Sequence, residues 1–393
     1  MTMPLEGLLV LDLSMNSPGP LASMMLSDFG AAVVHVVRPA TGTFGQTYGG
    51  DIADDPYITS RFQPHDAVNR NKRSLALDLK TTKGRNIFLG LVRKADILLE
   101  EFRPGKLAAL GLGYDDLKAI NSRLIYCSIT GYGQSGPMRN AAGHDINYLA
   151  MTGALDMIRG QDDQPVNPQN ILSDNGGASM SAVIGVLLAL VHRMKTGEGQ
   201  YIDANCTDSV IYLMADLFST ALGGRHTSQT WRDTFLGRLP HYRAYRCQDG
   251  NWISVGALEA KFTKDFFGGL GRPELMELLD DRARWAELTT VLTDIFLTKP
   301  RDAWVETFNG TDACITPVLS LEEIAEHPQT RERAMIVHDF GIPQIGIAPK
   351  LSLTPGTIRS APFCPGKNSQ DILSELGIST VEYETLRREG VTE

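Results

Sequence analysis

The stretch LLVLDLSMNSPGPLASMMLSDFGAAVVHVV, residues 8–37, decides the fold of this 393-residue chain. Leu8–Leu13 is short and apolar, as a buried parallel strand is, and Ala32–Val37 is rich in β-branched valine, which favours a second strand. Between them Pro20 suits the first turn of a helix, Leu21–Phe29 has helical apolar spacing, and Gly30 suits a helix end. A strand, a helix and a second strand in this order predict parallel strands with a right-handed crossover.

The alternation of strands and helices continues after this unit. The sequence predicts four further strands, at Ser74–Leu79, Asp96–Glu100, Leu124–Ser128 and Tyr201–Ala204. A helix is expected near Lys83–Lys94, and Ser179–Met194 reads as one long buried helix. We therefore predict an α/β protein with a Rossmann-like parallel sheet. No GxGxxG motif follows the first strand, which disfavours a nicotinamide cofactor.

The character of the chain changes near Gly224. A hairpin is predicted from Arg243–Cys247 and Trp252–Val255, and amphipathic helices follow up to Phe308. Residues 342–365 contain repeated prolines and read as an extended strap before a final helix near Asp371–Glu375. We predict a large α/β domain over residues 1–223, a small α+β domain over 224–335, and a C-terminal segment, 336–393, that returns to the large domain.

The polar segment from Thr41 to Asn71 has no clear period, and loops of this length are usually functional. We expect it to lie at the mouth of the functional site. Residues 208–221 and 326–343 are expected to act as long linkers.

Composition narrows the functional classes. The chain has 37 Lys and Arg against 46 Asp and Glu, a net charge of −9, which disfavours a nucleic-acid-binding protein. Its five cysteines include no CxxC pair, so neither a disulfide framework nor a zinc site is expected. The N-terminus lacks the basic region of a signal peptide, and the apolar stretch Ala182–Val191 is shorter than the roughly 20 residues of a membrane span. We therefore expect a cytoplasmic protein without membrane or nucleic-acid partners.

Two ionisable side chains lie at the starts of predicted helices, close to glycine residues. His144 follows Gly143 and precedes Asp145 at a predicted helix start, where the helix dipole favours a neutral imidazole that can accept a proton. Asp174 precedes Gly176 and the long apolar helix, whose free N–H groups can stabilise a negative oxygen. Helix capping is the alternative interpretation of each residue.

Other charged residues either belong to the same site or lie on the solvated surface. Glu259 follows an apolar strand, where a carboxylate is usually solvated. Basic clusters at 70–73 and 103–106 are candidate phosphate sites, and Arg38 follows a strand at the sheet edge where α/β proteins bind ligands. These residues alone indicate an α/β enzyme with a phosphate-bearing ligand, and do not select a reaction.

Several ordered segments resemble one known family. GHDINYLA, residues 143–150, resembles the signature of alpha-methylacyl-CoA racemases within the class III CoA-transferase family. The similarity spans nearly the whole chain. Further matching segments are SDFGA at 27–31, KRSLALDLK at 72–80, EFRPG at 101–105, LGLG at 110–113, GQYIDAN at 199–205 and GTDACITPVL at 310–319.

The resemblance implies a function and a set of site residues. His144, supported by Asp145 and Glu259, would serve one face of an acyl-CoA substrate, and Asp174 would serve the other. The implied CoA-contacting residues are Arg38, Leu77, Asp78, Leu79, Lys80, Arg103, Gly143 and Tyr148. The implied reaction is inversion at C2 of a 2-methylacyl-CoA through an enolate, with no metal and no cofactor beyond the CoA moiety. The family forms interlocked homodimers, in which Glu259 would meet His144 and Asp174 of the partner chain.

Two alternatives remain open at this point. In a class III CoA-transferase, an aspartate resembling Asp174 attacks the thioester as a nucleophile. A non-catalytic acyl-CoA-binding protein is the other. The presence of His144 and Glu259 favours the racemase.

Overall fold

The computed structural model describes residues 2–39, 66–160, 163–223, 237–362 and 365–393. Contacts divide the chain into two units. The first contains Met1–Thr152, Pro168–Leu213 and Arg331–Glu393, and the second contains Gly153–Asn167 and Met214–Thr330. The predicted domain boundaries are at 223/224 and 335/336. The chain passes between the two observed units at 213/214 and 330/331, and also at 152/153 and 167/168. Most of the polar segment predicted to flank the site lies outside the described residues.

A parallel sheet forms the centre of the first unit. Its six strands are β1 (Leu9–Leu13), β2 (Ala32–Val37), β3 (Lys72–Ala76), β4 (Ile97–Glu100), β5 (Ile125–Thr130) and β6 (Tyr201–Asn205). They lie in the order β3-β2-β1-β4-β5-β6, and all five pairings are parallel. This is the strand order of many doubly wound nucleotide-binding folds. The predicted α/β class with a Rossmann-like sheet is confirmed.

Alternating side chains along each strand build one core on each face of the sheet. Val10 and Val33, which are paired in the register, contribute to one core, and their neighbours Leu11 and Val34 contribute to the other. Because apolar side chains are buried on both faces, these strands read as continuous apolar runs in the sequence.

Helices cover both faces of this sheet. Those of the first unit are α1 (Pro18–Asp28), α2 (Thr82–Val92), α3 (Tyr114–Ile120), α4 (Asp145–Thr152), α6 (Met180–Thr196), α7 (Cys206–Leu213), α13 (Pro328–Glu332, which reaches this unit at its end), α14 (Ser369–Glu375) and α15 (Thr380–Arg388). Local signals set their ends: Thr81 accepts the N–H of Gly84 at 2.9 Å at the start of α2, and Gly197 at φ +81° ends α6. The segment 208–221, predicted as a linker, is mostly helical, in α7 and in α8 (Ala215–Leu222).

The C-terminal segment completes the first unit beside β3. Thr392 donates its hydroxyl to the Ala76 carbonyl at 2.6 Å, and the Asp78 N–H donates to the Val391 carbonyl at 2.9 Å. Further back, β10 (Ile336–Asp339) and β11 (Ile342–Ile345) form a two-stranded antiparallel sheet. The expected return of the chain to the large sheet is confirmed.

The basic cluster at 70–73 is structural, which corrects its interpretation as a phosphate site. Arg70 is 1% exposed and pairs with Asp28 at 2.6 Å, and it also donates to the carbonyl of Ile345. Lys72 is buried and donates to Ser23 at 2.7 Å, with Asp12 3.5 Å away. These cations are already paired inside the protein, so they are not available to a ligand.

The second unit contains a three-stranded antiparallel sheet and surrounding helices. Its strands are β7 (Tyr242–Arg246), β8 (Trp252–Gly256) and β9 (Ile315–Pro317), in that order in the sheet. Its further helices are α5 (Ala154–Met157), α9 (Ala260–Gly269), α10 (Trp285–Phe296), α11 (Arg301–Thr307) and α12 (Leu321–Glu326). An aromatic core that includes Phe266, Phe296 and Trp304 holds the sheet and helices together. The predicted hairpin and smaller α+β region are confirmed.

One helical run, Gln169–Thr196, is long and apolar enough by composition to cross a membrane. This run joins a π-helix, Leu172–Ser179, to α6. It is therefore longer than the apolar stretch Ala182–Val191. Ala182, Val186 and Ala189 on its inner face belong to the core of the first unit. A core helix of a soluble protein meets the same length criterion, so this property does not assign a membrane role.

Candidate active site

Apart from Asp174, the predicted site residues of the first unit follow the carboxyl ends of its strands. Arg38 follows β2, Leu77–Lys80 follow β3, Arg103 follows β4, and the segment from Gly131 to Tyr148 follows β5. Parallel strands place all of these ends at one edge of the sheet, where open α/β sheets bind ligands. The topology therefore collects residues that lie far apart in the sequence.

His144 lies at the entrance to α4. Its backbone N–H donates to Asn147 Oδ1 at 3.0 Å, so the amide of Asn147 caps the helix start. The imidazole is exposed and lines a cavity of about 390 Å³. His144 is thus available to a ligand, and the capping role considered for it belongs to Asn147.

Asp145 is a structural link between α4 and the π-helix. Its Oδ1 accepts the N–H groups of Ser173 at 3.0 Å and Asp174 at 2.8 Å. Its Oδ2 is buried and has no hydrogen-bond partner, and burial raises the pKa of this carboxyl. The sequence predicts that the N–H groups at the Asp174 helix start stabilise a negative oxygen of the substrate. Two of them are already bonded to Asp145, which corrects that expectation.

Asp174 is half-buried in the first turns of the π-helix. Burial, and after it the neighbouring Asp145, raise the pKa of Asp174 to about 6, against the opposing effects of the Cys206 thiol at 3.8 Å and of His144. His144 is therefore close enough to Asp174 for their charges to interact. A carboxyl with a pKa near 6 can both accept and donate a proton at neutral pH.

Asp174 is flanked by a hydrogen-bond bridge that the sequence does not predict. Ser17 donates to Asn175 Oδ1 at 2.9 Å, and Asn170 donates to the Ser17 hydroxyl at 2.9 Å. Glu101 in turn holds the loop before α1, because its carboxylate accepts the N–H groups of Met15, Asn16 and Gly19. The only signal in the sequence was the polar Asn175 beside Asp174, without any indication of its partner.

Two tyrosines form a wall of the cavity that contains His144. Tyr148 donates its hydroxyl to the Gly143 carbonyl at 2.5 Å, and its ring meets Tyr132 edge-on at 5.1 Å between centroids. A Cβ atom on Gly143 would lie 2.7 Å from the Tyr132 hydroxyl and 2.8 Å from the Tyr148 ring. Only glycine therefore fits between the two rings at this position.

We expect Gly143→Ala to disturb this wall. The added methyl group forces the tyrosine rings apart and costs roughly 1–3 kcal/mol of folding stability, as overpacking does. Urea unfolding measures that loss. Gly268→Ala is the control, because a Cβ there meets no atom within 4 Å. A Gly143→Ala protein as stable as the Gly268→Ala protein would contradict the described packing.

The predicted CoA-contacting residues after β2 and β3 differ in accessibility. Arg38 and Lys80 are exposed, and Asp78 Oδ1 accepts the Lys80 N–H at 2.9 Å. Leu77 is 2% exposed with its side chain in the core, and Leu79 packs against the same core. Arg38 and Lys80 thus present charge at this edge, while Leu77 and Leu79 support the backbone there.

Arg103 is exposed beyond β4 and lines the cavity of His144. It also lines a neighbouring cavity of about 180 Å³ with Glu100, Ser128 and Gln134. Within the part of the chain that the structure describes, no three His, Cys, Asp or Glu side chains form a group that could hold a metal ion.

Glu259 belongs to the second unit. It is exposed at the start of α9 and makes no side-chain cap to that helix. Its charge acts on Cys314 in the same unit. The structure thus gathers His144, Asp145 and Asp174 in the first unit, and the expected meeting of Glu259 with His144 stays a prediction.

Comparisons with known proteins agree on one family. The profile of CoA-transferase family III matches residues 5–369. Human alpha-methylacyl-CoA racemase is 36% identical over 100% of this chain and 98% of its own length. Human succinyl-CoA:glutarate CoA-transferase is 31% identical over 92% of this chain and 81% of its own length. The crystal structure of a CAIB/BAIF family protein from Brucella suis superposes with a TM-score of 0.79 at 27% identity, over 96% of this chain and 100% of the other.

Proposed function

The chain belongs to CoA-transferase family III, and from this premise we propose that it is a racemase that inverts C2 of a 2-methylacyl-CoA thioester. The observation that carries the proposal is an accessible His144 that interacts electrostatically with Asp174, a half-buried carboxyl whose pKa is raised to about 6. A two-base inversion requires two groups that can each accept and donate a proton. The 36% identity to a racemase over the full chain supports the same reaction.

The proposed reaction moves one proton off C2 and another on. One group, His144 or the Asp174 carboxylate, removes the α-proton, and the electron pair moves into the C2–C1 bond to give an enolate. The other group, in its protonated form, donates a proton to the opposite face of C2. The enolate returns to the thioester with inverted configuration. Each direction of the reaction exchanges the roles of the two groups.

The negative oxygen of the enolate needs hydrogen-bond donors. The amides of Ser173 and Asp174 are bonded to Asp145. The first N–H groups of a helix have no partner within it, and the start of α4 lies beside His144. We assign the thioester oxygen to this helix start.

The test of the racemase is deuterium exchange. One enantiomer of a 2-methylacyl-CoA is incubated with the protein in D₂O, and deuterium at C2 and optical purity are followed together. We expect deuterium uptake with loss of optical purity. Retention of the α-proton across several acyl chain lengths would reject the proposal.

A CoA-transferase is the second candidate, favoured by the half-buried Asp174 and by the 31% identical transferase. In that reaction the Asp174 carboxylate attacks the thioester carbonyl and the CoA thiolate leaves, forming a mixed anhydride. Hydroxylamine would trap this acyl-enzyme at Asp174, and mass spectrometry of the peptide would reveal it. Trapping without deuterium exchange at C2 would select the transferase.

We also propose that the protein acts as a homodimer, because α6 has an unusually apolar outer face. Its exposed side chains include Ile184 at 57%, Leu188 at 64% and Met194 at 85%. Contiguous apolar surface of this kind marks an interaction site, and a second copy of the chain is the occupant that the family resemblance implies.

Sedimentation equilibrium, which measures the mass of the protein in solution, tests this prediction. We expect a mass of twice 43.0 kDa for the wild type and a weaker association for Leu188→Glu, since a charge on an apolar interface is costly to bury. Ala119→Glu, on the exposed surface of α3, is the control, because it introduces the same single negative charge outside α6. A fully active monomer would contradict the dimer.

A further inference from the structure

The cavity that contains His144 is also lined by two arginines, Arg103 and Arg139. Arg139 lies on the loop between β5 and α4, which follows the carboxyl end of the sheet. The sequence signals singled out Arg103 but not Arg139. Both side chains are exposed at the cavity and approach it from different loops.

Neither arginine is neutralised by the residues that the structure describes. No hydrogen bond or ion pair is formed by the Arg139 guanidinium within the described ranges. By contrast, other arginines of the first unit form ion pairs, as Arg70 does with Asp28 and Arg73 with Glu375. An unpaired guanidinium that faces a cavity is available to bind a carboxylate or a phosphate.

The one carboxylate that lines this cavity does not offset the two cations. Glu101 directs Oε1 to the Gly19 N–H at 2.6 Å and Oε2 to the N–H groups of Met15 and Asn16 at 2.9 and 2.8 Å. Burial raises the pKa of Glu101 to about 7, so part of its population is neutral at physiological pH. Apart from His144, the rest of the lining contains no other acidic or basic side chain of Asp, Glu, Lys or Arg. The cavity thus carries excess positive charge.

We propose that Arg139, together with Arg103, binds an anionic group of the substrate in the cavity of His144. This inference rests on the proposed function, since it assigns a ligand to the same site. The anion is a carboxylate at the far end of the acyl chain or a phosphate of CoA. Arg139 then holds the substrate by its anionic group, and His144 acts on C2.

The two sources of the anion predict different specificity. If Arg139 binds an acyl carboxylate, the enzyme prefers dicarboxylic acyl groups over acyl chains that end in a methyl group. If Arg139 binds a CoA phosphate, it contributes equally to every CoA thioester and nothing to a thioester of pantetheine, which has no phosphate.

Equilibrium binding to Arg139→Ala distinguishes these cases. The ligands are two 2-methylacyl-CoA thioesters of equal chain length, one ending in a methyl group and one in a carboxylate, and the two corresponding pantetheine thioesters. We expect at least a tenfold weaker Kd for the ligands that carry the bound anion. Arg139→Lys, which keeps the charge but not the bidentate geometry, is expected to recover part of the affinity.

Arg93→Ala is the matched control, because Arg93 is an exposed arginine after α2 that does not line the cavity. A loss confined to the carboxylate-ended ligands, in both CoA and pantetheine form, assigns the acyl carboxylate. A loss for both CoA ligands that is absent with pantetheine assigns the phosphate. Kd values within twofold of Arg93→Ala for all four ligands overturn the proposal, as does an equal loss for the uncharged pantetheine ligand.

The binding experiment separates this inference from the proposed function. It requires no turnover, so a protein that shows no deuterium exchange at C2 still reports whether Arg139 binds an anion. Conversely, a racemase whose Arg139→Ala variant binds all ligands normally keeps the proposed function and loses only the anion site.

Discussion

The His144→Ala variant is expected to take up deuterium at C2 from only one enantiomer of a 2-methylacyl-CoA. The enantiomer whose α-proton His144 removes loses its base, and its exchange falls by about 10²–10⁴-fold, the usual contribution of a general base. The other enantiomer still meets Asp174, so it exchanges deuterium but keeps its configuration. Racemisation stops in both directions, because inversion needs both groups.

The Asp174→Asn variant is expected to show the mirror image of this result. Exchange is then retained only for the enantiomer that His144 deprotonates. In the wild type, the direction that uses Asp174 as the base falls as the pH drops below about 6, because the carboxyl is protonated there. Proton donation by Asp174 has the opposite pH dependence, and rises as the pH falls.

Two exposed residues serve as controls for these variants. His338 on β10 and Asp115 on α3 lie on the surface of the first unit, and we expect His338→Ala and Asp115→Asn to exchange both enantiomers at the wild-type rate. If His144→Ala loses exchange equally for both enantiomers, a one-base mechanism replaces the proposal. If both variants at the site keep full racemisation, the assignment of the two groups is wrong.

Arg70→Ala is expected to cause the largest loss of stability. It leaves the Asp28 carboxylate, buried at 2% exposure, without its cationic partner, and breaking a buried pair in this way costs about 3–5 kcal/mol. It also removes the hydrogen bond to the Ile345 carbonyl, which ties the C-terminal segment to α1. The free energy of unfolding from urea titration measures the effect.

Arg73→Ala is the matched control, three residues further along. Arg73 pairs with Glu375 on the surface, with 38% and 58% of the two side chains exposed, and such pairs contribute about 0–1 kcal/mol. Equal stability losses for the two variants would contradict the described burial of Arg70. The double variant Arg70→Met, Asp28→Leu is expected to recover part of the loss, since apolar residues of similar volume replace a buried pair well.

The fold was predictable where short-range pattern coincides with burial. Ala32–Val37 is a strand with the predicted bounds, and β1 begins one residue later than expected, because apolar runs between turn residues are local properties of the chain. Helix ends were less accurate: α1 begins at Pro18, before the predicted apolar run. Capping and turn geometry set these helix ends, and many residue types fit that geometry, so the sequence does not fix the end at one residue.

The candidate site was predictable only in part, because contacts over long sequence separations leave no local signal. The basic run at 70–73 looks like a phosphate site, and nothing near it indicates that Arg70 pairs with Asp28, 42 residues earlier. Ser17 and Asn175 are 158 residues apart and meet beside Asp174. Arg139 lies in a polar loop without any motif, and only the folded chain brings it to the cavity of His144.

The attachment of the C-terminal segment to β3 affects how the protein can be synthesised. β3 is an edge strand, and Thr392 bonds to Ala76 across 316 residues. At about 5–20 residues per second, a ribosome needs roughly 15–60 s to make that intervening chain. Throughout this time the edge of a hydrophobic sheet is open to pairing with other nascent chains. Lower growth temperatures and chaperone co-expression should therefore raise the soluble yield more than they do for proteins whose edge strands are covered early in synthesis.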